Sequence, residues 1–294
     1  MEQLAAAQIE RDVILVEGAD AASYLHTQLT QDIEGLEVGG SAWAFLLEPK
    51  AEIVALLRVT RTGAEEIVLD LPLGMGSTVR ERLDGFLFRM DVRFSEDRWS
   101  GFSVRGPGTD AIEVAGEVMM RSPWPGCEGV DVLGSSADIP EGLDEMSASE
   151  LDALRIRLGW PSNSDFDDKT TPAMTGIVDH TVSFTTGCYT GQEFVARVHY
   201  RDAAPPRQLV QVGFHPSCRP SIGSAITLDG ESVGSLTSVS EHQPLALAFV
   251  DRGVDVPGEA IVENAPLCMG VLPASTIVPD APPPEKTTSR LELS

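Results

Sequence analysis

The amino-acid sequence predicts an α+β fold followed by a small β-barrel, on three observations. The first hundred residues alternate short apolar strand candidates with helical spacings. The middle of the chain carries one clearly amphipathic helix between loop-rich stretches. Residues 208–250 then hold four short strands at close spacing, the pattern of a meander closing into a barrel. A length of 294 residues allows two or three domains, and 42% hydrophobic with 22% charged residues is ordinary for a globular chain.

Taken in order, Val13-Ile14-Leu15-Val16 reads as a strand, and Asp20 as the N-cap of a helix over residues 21–29. Leu25 and Leu29 share one helical face with Ala21 and Ala22, so this helix should pack on a sheet, with His26 at the surface or boundary. Residues 43–47 and 52–59 read as strands around the turn Glu48-Pro49-Lys50-Ala51, and residues 66–71 as a third. Helical spacing of Val79, Leu83, Phe86 and Leu87 predicts a helix over 77–87 that Gly85 interrupts, and residues 90–94 and 99–104 read as two strands. Six arginines from Arg80 to Arg105, interleaved with five acidic residues, read as a solvated mixed-charge face.

Residues 107–120 suggest the helix and strand of a second α+β half, and 130–133 a further strand. Ser149 to Gly159 is the clearest helix. Ser149 and Asp152 have capping-box spacing, Leu151, Leu154 and Leu158 form a stripe, and Gly159 is a C-terminal stop before Trp160-Pro161. Residues 201–207 read as a proline-stiffened linker, Asp229-Gly230 as a hairpin turn, and 279–294 as a mobile tail.

With 45 acidic against 21 basic residues the net charge is −24, which argues against direct contact with nucleic acid. Apolar runs fall short of a membrane span and the N-terminus does not read as a signal peptide, so a cytoplasmic location without membrane contact is expected. The four cysteines, Cys127, Cys188, Cys218 and Cys268, form no C-x-x-C pair, so neither a metal site nor disulfides are expected.

The stretch from Thr185 to Arg197 is where chemistry enters. Thr190-Gly191-Gln192-Glu193 has capping-box spacing and predicts a helix from Gly191, with Phe194, Val195 and Val198 as its apolar stripe. Cys188 then lies two residues before the cap, where the helix dipole favours a thiolate. The alternative is a small buried residue in a tight glycine-flanked turn.

Gly187-Cys188-Tyr189-Thr190-Gly191-Gln192-Glu193 with Arg197 resembles the signature of the YgfZ family, folate-binding relatives of the glycine cleavage T-protein (aminomethyltransferase). The family pattern begins with a lysine where this chain has Thr186. The strand, helix and strand-turn-strand opening, the Ala-Leu-Arg-Ile-Arg-Leu-Gly-Trp-Pro run and the Val-Gly-Ser-Leu-Thr-Ser strand extend the resemblance over roughly residues 10–275. It implies two related α+β halves within 1–203, meeting near 95–110 around a central folate-type cavity, and a barrel over 204–278. Tetrahydrofolate is the implied cofactor and iron–sulfur client or assembly proteins the implied partners. The implied role is support of iron–sulfur enzyme assembly or repair, touching tRNA modification only indirectly. Cys188 is then the working thiol, and Tyr189, Gln192, Glu193, Arg197 and Arg157 the residues around the ligand.

Two departures from the family pattern qualify that reading. Arg157 stands where a pterin-binding glutamate is expected, and a guanidinium has no acceptor for a pterin's N–H groups. The residue expected after the hairpin turn in aminomethyltransferases is an essential aspartate. Here Ala51-Glu52-Ile53-Val54-Ala55 follows, so that classical chemistry is not expected. The competing readings are a folate-dependent aminomethyl or methyl transferase, and a non-enzymatic module for another anionic ligand.

Overall fold

The computed structural model describes residues 4–112, 114, 118–121, 124–134, 138–185, 187–200, 204–262 and 265–271. The expected tail, Thr186 and the first half of the expected linker lie outside the described residues. In chain order the elements are β1 (Ala5–Glu17), α1 (Ala21–Gln28), β2 (Ser41–Leu47), β3 (Ile53–Arg61), β4 (Glu66–Leu71), α2 (Gly76–Asp84), β5 (Arg93–Arg105), β6 (Val118–Met120), β7 (Gly129–Gly134) and β8 (Asp144–Glu145). They continue with α3 (Ala148–Arg157), α4 (Val178–Thr181), α5 (Gln192–Tyr200), β9 (Arg207–Phe214), β10 (Ala225–Leu228), β11 (Glu231–Val239), β12 (Leu245–Asp251), β13 (Gly258–Val262) and β14 (Ala265–Val271). The chain divides into two compact units, residues 1–148 with 178–197, and 149–177 with 198–294.

The first unit is built on a sheet of order β2-β3-β4-β1-β5-β7-β6, with β8 added parallel to β1. Its spine is the antiparallel pair of β1 and β5, in register from Ala5 opposite Arg105 to Glu17 opposite Arg93. The two strands expected over 90–104 are thus one. The charged run from Ser95 to Arg98 does not break it, because those residues stay on the ladder and face solvent. On one face, Tyr24, Leu25 and Leu29 of the α1 region and Val79 and Leu83 of α2 pack on Ile14, Val16, Leu57 and Leu69. Burying each leucine contributes about 1.5–3 kcal/mol. Asp20 occupies the N-cap of α1 but does not cap it. Its carboxylate accepts the Asp91 N–H instead, at 2.8 Å. Helix α2 stops before Gly85, short of the expected 87. Of the helix expected after Pro107, the described part is a single 3-10 turn at Thr109–Ala111.

The sheet also encloses a network of ionised groups that the mixed-charge reading missed. Arg58 and Asp70 are both fully buried, and Asp70 accepts from Arg58 Nε at 2.8 Å and Nη2 at 3.0 Å. Arg58 Nη1 donates to Asp131 at 2.6 Å, Arg105 Nη2 to the other Asp131 oxygen at 2.9 Å, and Arg11 Nε to Asp70 at 2.9 Å. Arg105 is 1% exposed and stacks 4.2 Å from the Trp124 ring. Burial alone would raise the Asp131 carboxyl, but the charges of Arg105 and Arg58 hold it well below the usual carboxylate range.

The second unit contains a closed barrel of order β10-β11-β12-β9-β14-β13. Asp229 and Gly230 both have positive φ, 52° and 87°, the requirement of the hairpin turn their sequence predicts. Helix α3 begins at Ala148, so Ser149 lies inside it. The expected capping pair does not form: Ser149 Oγ lies 2.8 Å from His242 Nε2, and Asp152 accepts from Arg155. Gly159 ends the helix with φ 69°. Ala153, Leu154, Arg155 and Ile156 are its buried residues, while Leu151 and Leu158 are half-buried.

Candidate functional site

The Cys188 loop is reached from Thr30, a fully buried threonine that joins three segments of the first unit. Its hydroxyl donates to the Thr181 carbonyl at 2.6 Å and accepts the Phe45 N–H at 2.8 Å, and its carbonyl accepts the Ser183 N–H at 2.8 Å. These bonds hold the chain entering the motif against β2. Further on, the Thr190 N–H donates to the Thr27 carbonyl at 3.2 Å and the Gly187 N–H to His26 Nε2 at 3.3 Å. Gly191 adopts φ 85°, and a Cβ on it would lie 2.9 Å from the Glu48 carbonyl oxygen and 3.3 Å from Ala51 Cα. Only glycine lets the loop rest on the β2–β3 turn in this way.

That geometry corrects the expected helix start. Gly191 is left-handed, so α5 begins at Gln192, one residue later than predicted. The Thr190 amide, which a capping box would give to Glu193, is already donated to Thr27, and Glu193 is exposed. The expected stripe narrows to Val195, since Phe194 is 42% exposed with Arg197 stacked 5.2 Å from its ring.

Cys188 is exposed, whereas Cys127 and Cys218 are half-buried. Gln192 Nε2 reaches back to the Gly187 carbonyl at 3.4 Å, bracing the loop rather than projecting from it. Tyr189 is buried and its hydroxyl has no partner, so burial pushes it up to about 12. The structure therefore brings Cys188, Tyr189 and Gln192 into one braced loop, while Glu193 and Arg197 face solvent on α5. Among the described residues no group of three or more His, Cys, Asp or Glu side chains is arranged to hold a metal.

Arg157 belongs to the second unit and is half-buried. The arginine there that holds neighbouring acids is Arg155, two residues earlier. It donates to Asp165 at 3.2 Å, Asp152 at 2.8 Å and Ser238 at 2.9 Å. Arg157 contributes its carbonyl, which accepts Gln211 Nε2 at 2.8 Å.

A cavity of about 530 Å³ opens in the first unit, with Gly106, Trp124, Cys127, Glu128 and His180 in its wall. The Trp124 indole N–H is buried without a partner. An aromatic wall with an orphan donor beside a carboxylate suits a planar, hydrogen-bonding organic ligand, and the volume lies in the usual range for one. Sequence reasoning missed this wall because Arg121 to Glu128 reads only as turn residues.

No family model matches the chain. It is 27% identical over 235 residues to an uncharacterized protein of Haemophilus influenzae, across 77% of this chain and 80% of that protein. A chloroplastic Arabidopsis thaliana protein with a provisional transferase name is 24% identical over 258 residues, 76% of this chain. A mitochondrial homolog of the iron–sulfur cluster assembly factor IBA57 from Mycosarcoma maydis is 23% identical over 242 residues, 74% of this chain. The chain spans 59% of the length of each of these last two proteins. The glycine cleavage system aminomethyltransferase T of Bartonella henselae superposes with a TM-score of 0.76 at 19% identity, covering 92% of this chain and 86% of that structure. The chain is thus similar in sequence to an iron–sulfur cluster assembly factor homolog and in fold to a glycine cleavage T-protein.

The T-protein likeness carries the fold. At the start of β3, where the T-proteins' aspartate is expected, stand Ala51 with φ 69° and the half-buried Glu52.

Proposed function

We propose that the chain is a YgfZ-like, folate-associated protein of the cytoplasm that supports assembly or repair of iron–sulfur enzymes, with Cys188 as its working thiol. The observation that carries this reading is the exposure of Cys188 on a loop whose backbone N–H groups donate to the Thr27 carbonyl and to the His26 ring Nε2. A structural cysteine would be buried. A thiol held out on a fixed loop is available to a cluster, a client protein or an oxidant. The relation to an iron–sulfur assembly factor points the same way. On this reading the functional division is 1–203 as the ligand-binding region and 204–278 as the barrel.

The folate-type ligand would rest with its ring against Trp124 and its N–H groups toward Glu128. Glu128 Oε2 already accepts the Gly108 N–H at 2.9 Å, which leaves its other oxygen as an acceptor. Bound tetrahydrofolate supplies a one-carbon carrier. This chain's residues would only bind and orient it, because no aspartate stands at the start of β3. Arg157 does not line this cavity, whose carboxylate among the described residues is Glu128 alone, and with so few acceptors binding should be weak, with a Kd of tens of micromolar or above, about −6 kcal/mol or less favourable.

Two experiments test the proposal. Expression of the chain in a strain lacking its YgfZ-like protein should restore iron–sulfur enzyme activity, and failure to do so sinks the role. Titration with tetrahydrofolate separates the readings of the ligand. Submicromolar binding together with turnover of an aminomethylated carrier protein would move the chain to the transferase reading, which its fold permits.

A further inference from the structure

The sheet of the first unit runs from β2 and β3 at one end of its order to β6 at the other, yet residues from both ends meet in a second cavity of about 480 Å³. Arg61 enters it from the end of β3, Val118 and Met119 from β6, and Arg121 from just beyond β6. It shares no wall residue with the cavity beside Trp124. Among the described residues, the charged groups of this wall are Arg61 and Arg121. Arg61 Nε donates to the Gly63 carbonyl at 3.3 Å, Nη1 to the carbonyls of Leu36 at 2.9 Å and Glu34 at 3.4 Å, and Nη2 to the Ala64 carbonyl at 3.1 Å. Arg121 Nη1 donates to the Thr109 carbonyl at 3.1 Å and Nη2 to the Ile112 carbonyl at 2.8 Å. Carbonyls fix a guanidinium in place without cancelling its charge, and its five N–H groups exceed the four acceptors that hold Arg61.

The neighbouring buried network adds to the positive charge. Arg58 precedes the cavity residue Thr60 by two positions on β3, and Met120, next to Met119, is in register with Asp131. In that network the three guanidiniums of Arg11, Arg58 and Arg105 share the two carboxylates of Asp70 and Asp131, which leaves one positive charge over. In a chain of net charge −24, this seam is a local cationic site with an apolar wall beside it. We propose that the cavity binds a small organic anion, its oxyanion head held by Arg61 and Arg121 and its apolar body by Val38, Val114, Val118 and Met119. The planar guanidinium fork matches the oxygens of a carboxylate or phosphate head, and the volume lies in the usual range for a small-molecule site. The site does not depend on the reading of Cys188 or on the folate-type ligand of the Trp124 cavity.

The test is titration of the full chain with anilinonaphthalene sulfonate, an aromatic anion that fluoresces on leaving water, at low and high salt. The native chain should bind it with a Kd on the order of tens of micromolar. Val38 is 62% exposed, so the position accepts either charge without loss of fold. Val38→Lys should tighten binding and Val38→Glu weaken it, each about two- to fivefold at low salt and less at high salt. Arg121→Gln should weaken it about tenfold or more. Where that variant does not fold, the two Val38 variants decide, since opposite shifts from one exposed position cannot come from lost structure. Octanoate or octyl phosphate should displace the dye and octanol should not. Displacement by octanoate alone names a carboxylate head, and by octyl phosphate alone a phosphate head. Absence of saturable binding, equal affinities of the two Val38 variants, or displacement by octanol as readily as by the two anions would overturn the proposal.

Discussion

The arginine–aspartate network inside the first sheet and the Cys188 loop are both polar, and the fold treats them in opposite ways. Arg58, Asp70, Asp131 and Arg105 are withdrawn from water and meet one another at 2.6 to 3.0 Å. The Cys188 loop is held by fewer and longer contacts, 3.2 to 3.4 Å, and leaves a thiol exposed and a tyrosine hydroxyl orphaned. A network whose carboxylates are all paired with guanidinium groups rigidifies the sheet, whereas a braced loop with an exposed thiol and an orphan hydroxyl has groups left to give to a ligand. Damage to the first should cost stability and spare thiol reactivity. Damage to the second should do the reverse.

The largest effect is expected at Asp131. Asp131→Asn strips the charge that balances Arg58 and Arg105 and should destabilise the first unit by about 3–5 kcal/mol, read from urea unfolding, with Cys188 labelling in the folded protein unchanged. The same residue sets an acid limit. Its carboxyl is lower in the folded state than the roughly 3.9 of an unfolded aspartate, so its stabilisation is complete above that value and is lost as pH falls below about 4 toward the folded value. The native chain should lose stability over that range more steeply than the variant. Parallel acid profiles would mean the network is not ionised as drawn.

Gly191→Ala probes the loop's seat. A left-handed alanine costs about 1–2 kcal/mol, and its Cβ must push the Glu48 carbonyl, so a loss of about 1–3 kcal/mol with altered Cys188 labelling is expected. Unchanged labelling would show that the thiol does not depend on this contact. Tyr189→Phe, the smallest change, removes a buried hydroxyl that has no partner. It should raise the melting temperature, by about 1 kcal/mol of stability, while weakening any ligand that uses the hydroxyl. A lower melting temperature would reveal a partner.

Most strands were legible because their apolar runs are bounded by turns with mechanisms, such as Asp229-Gly230 and the β2–β3 turn. The long β5 was not, because local charge at 95–98 mimics a break that only pairing with β1 overrides. Buried arginines are invisible to periodicity, since nothing local says that Arg58 on β3 will meet Asp131 on β7 across 73 residues. The capping boxes misled because they assume a helix end free to satisfy itself. Thr190 and Ser149 found partners elsewhere in the chain. The motif located the thiol, but His26, 161 residues before Gly187, could be found only in three dimensions.

The proposed role rests on the Cys188 thiol, and the most direct measurement of it is iron–sulfur enzyme activity in a strain lacking its YgfZ-like protein and supplied with either the native chain or Cys188→Ala. An exposed loop thiol with no structural partner should be removable without loss of fold, so the variant should accumulate and melt like the native chain yet fail to restore activity. Full restoration by Cys188→Ala would contradict the account.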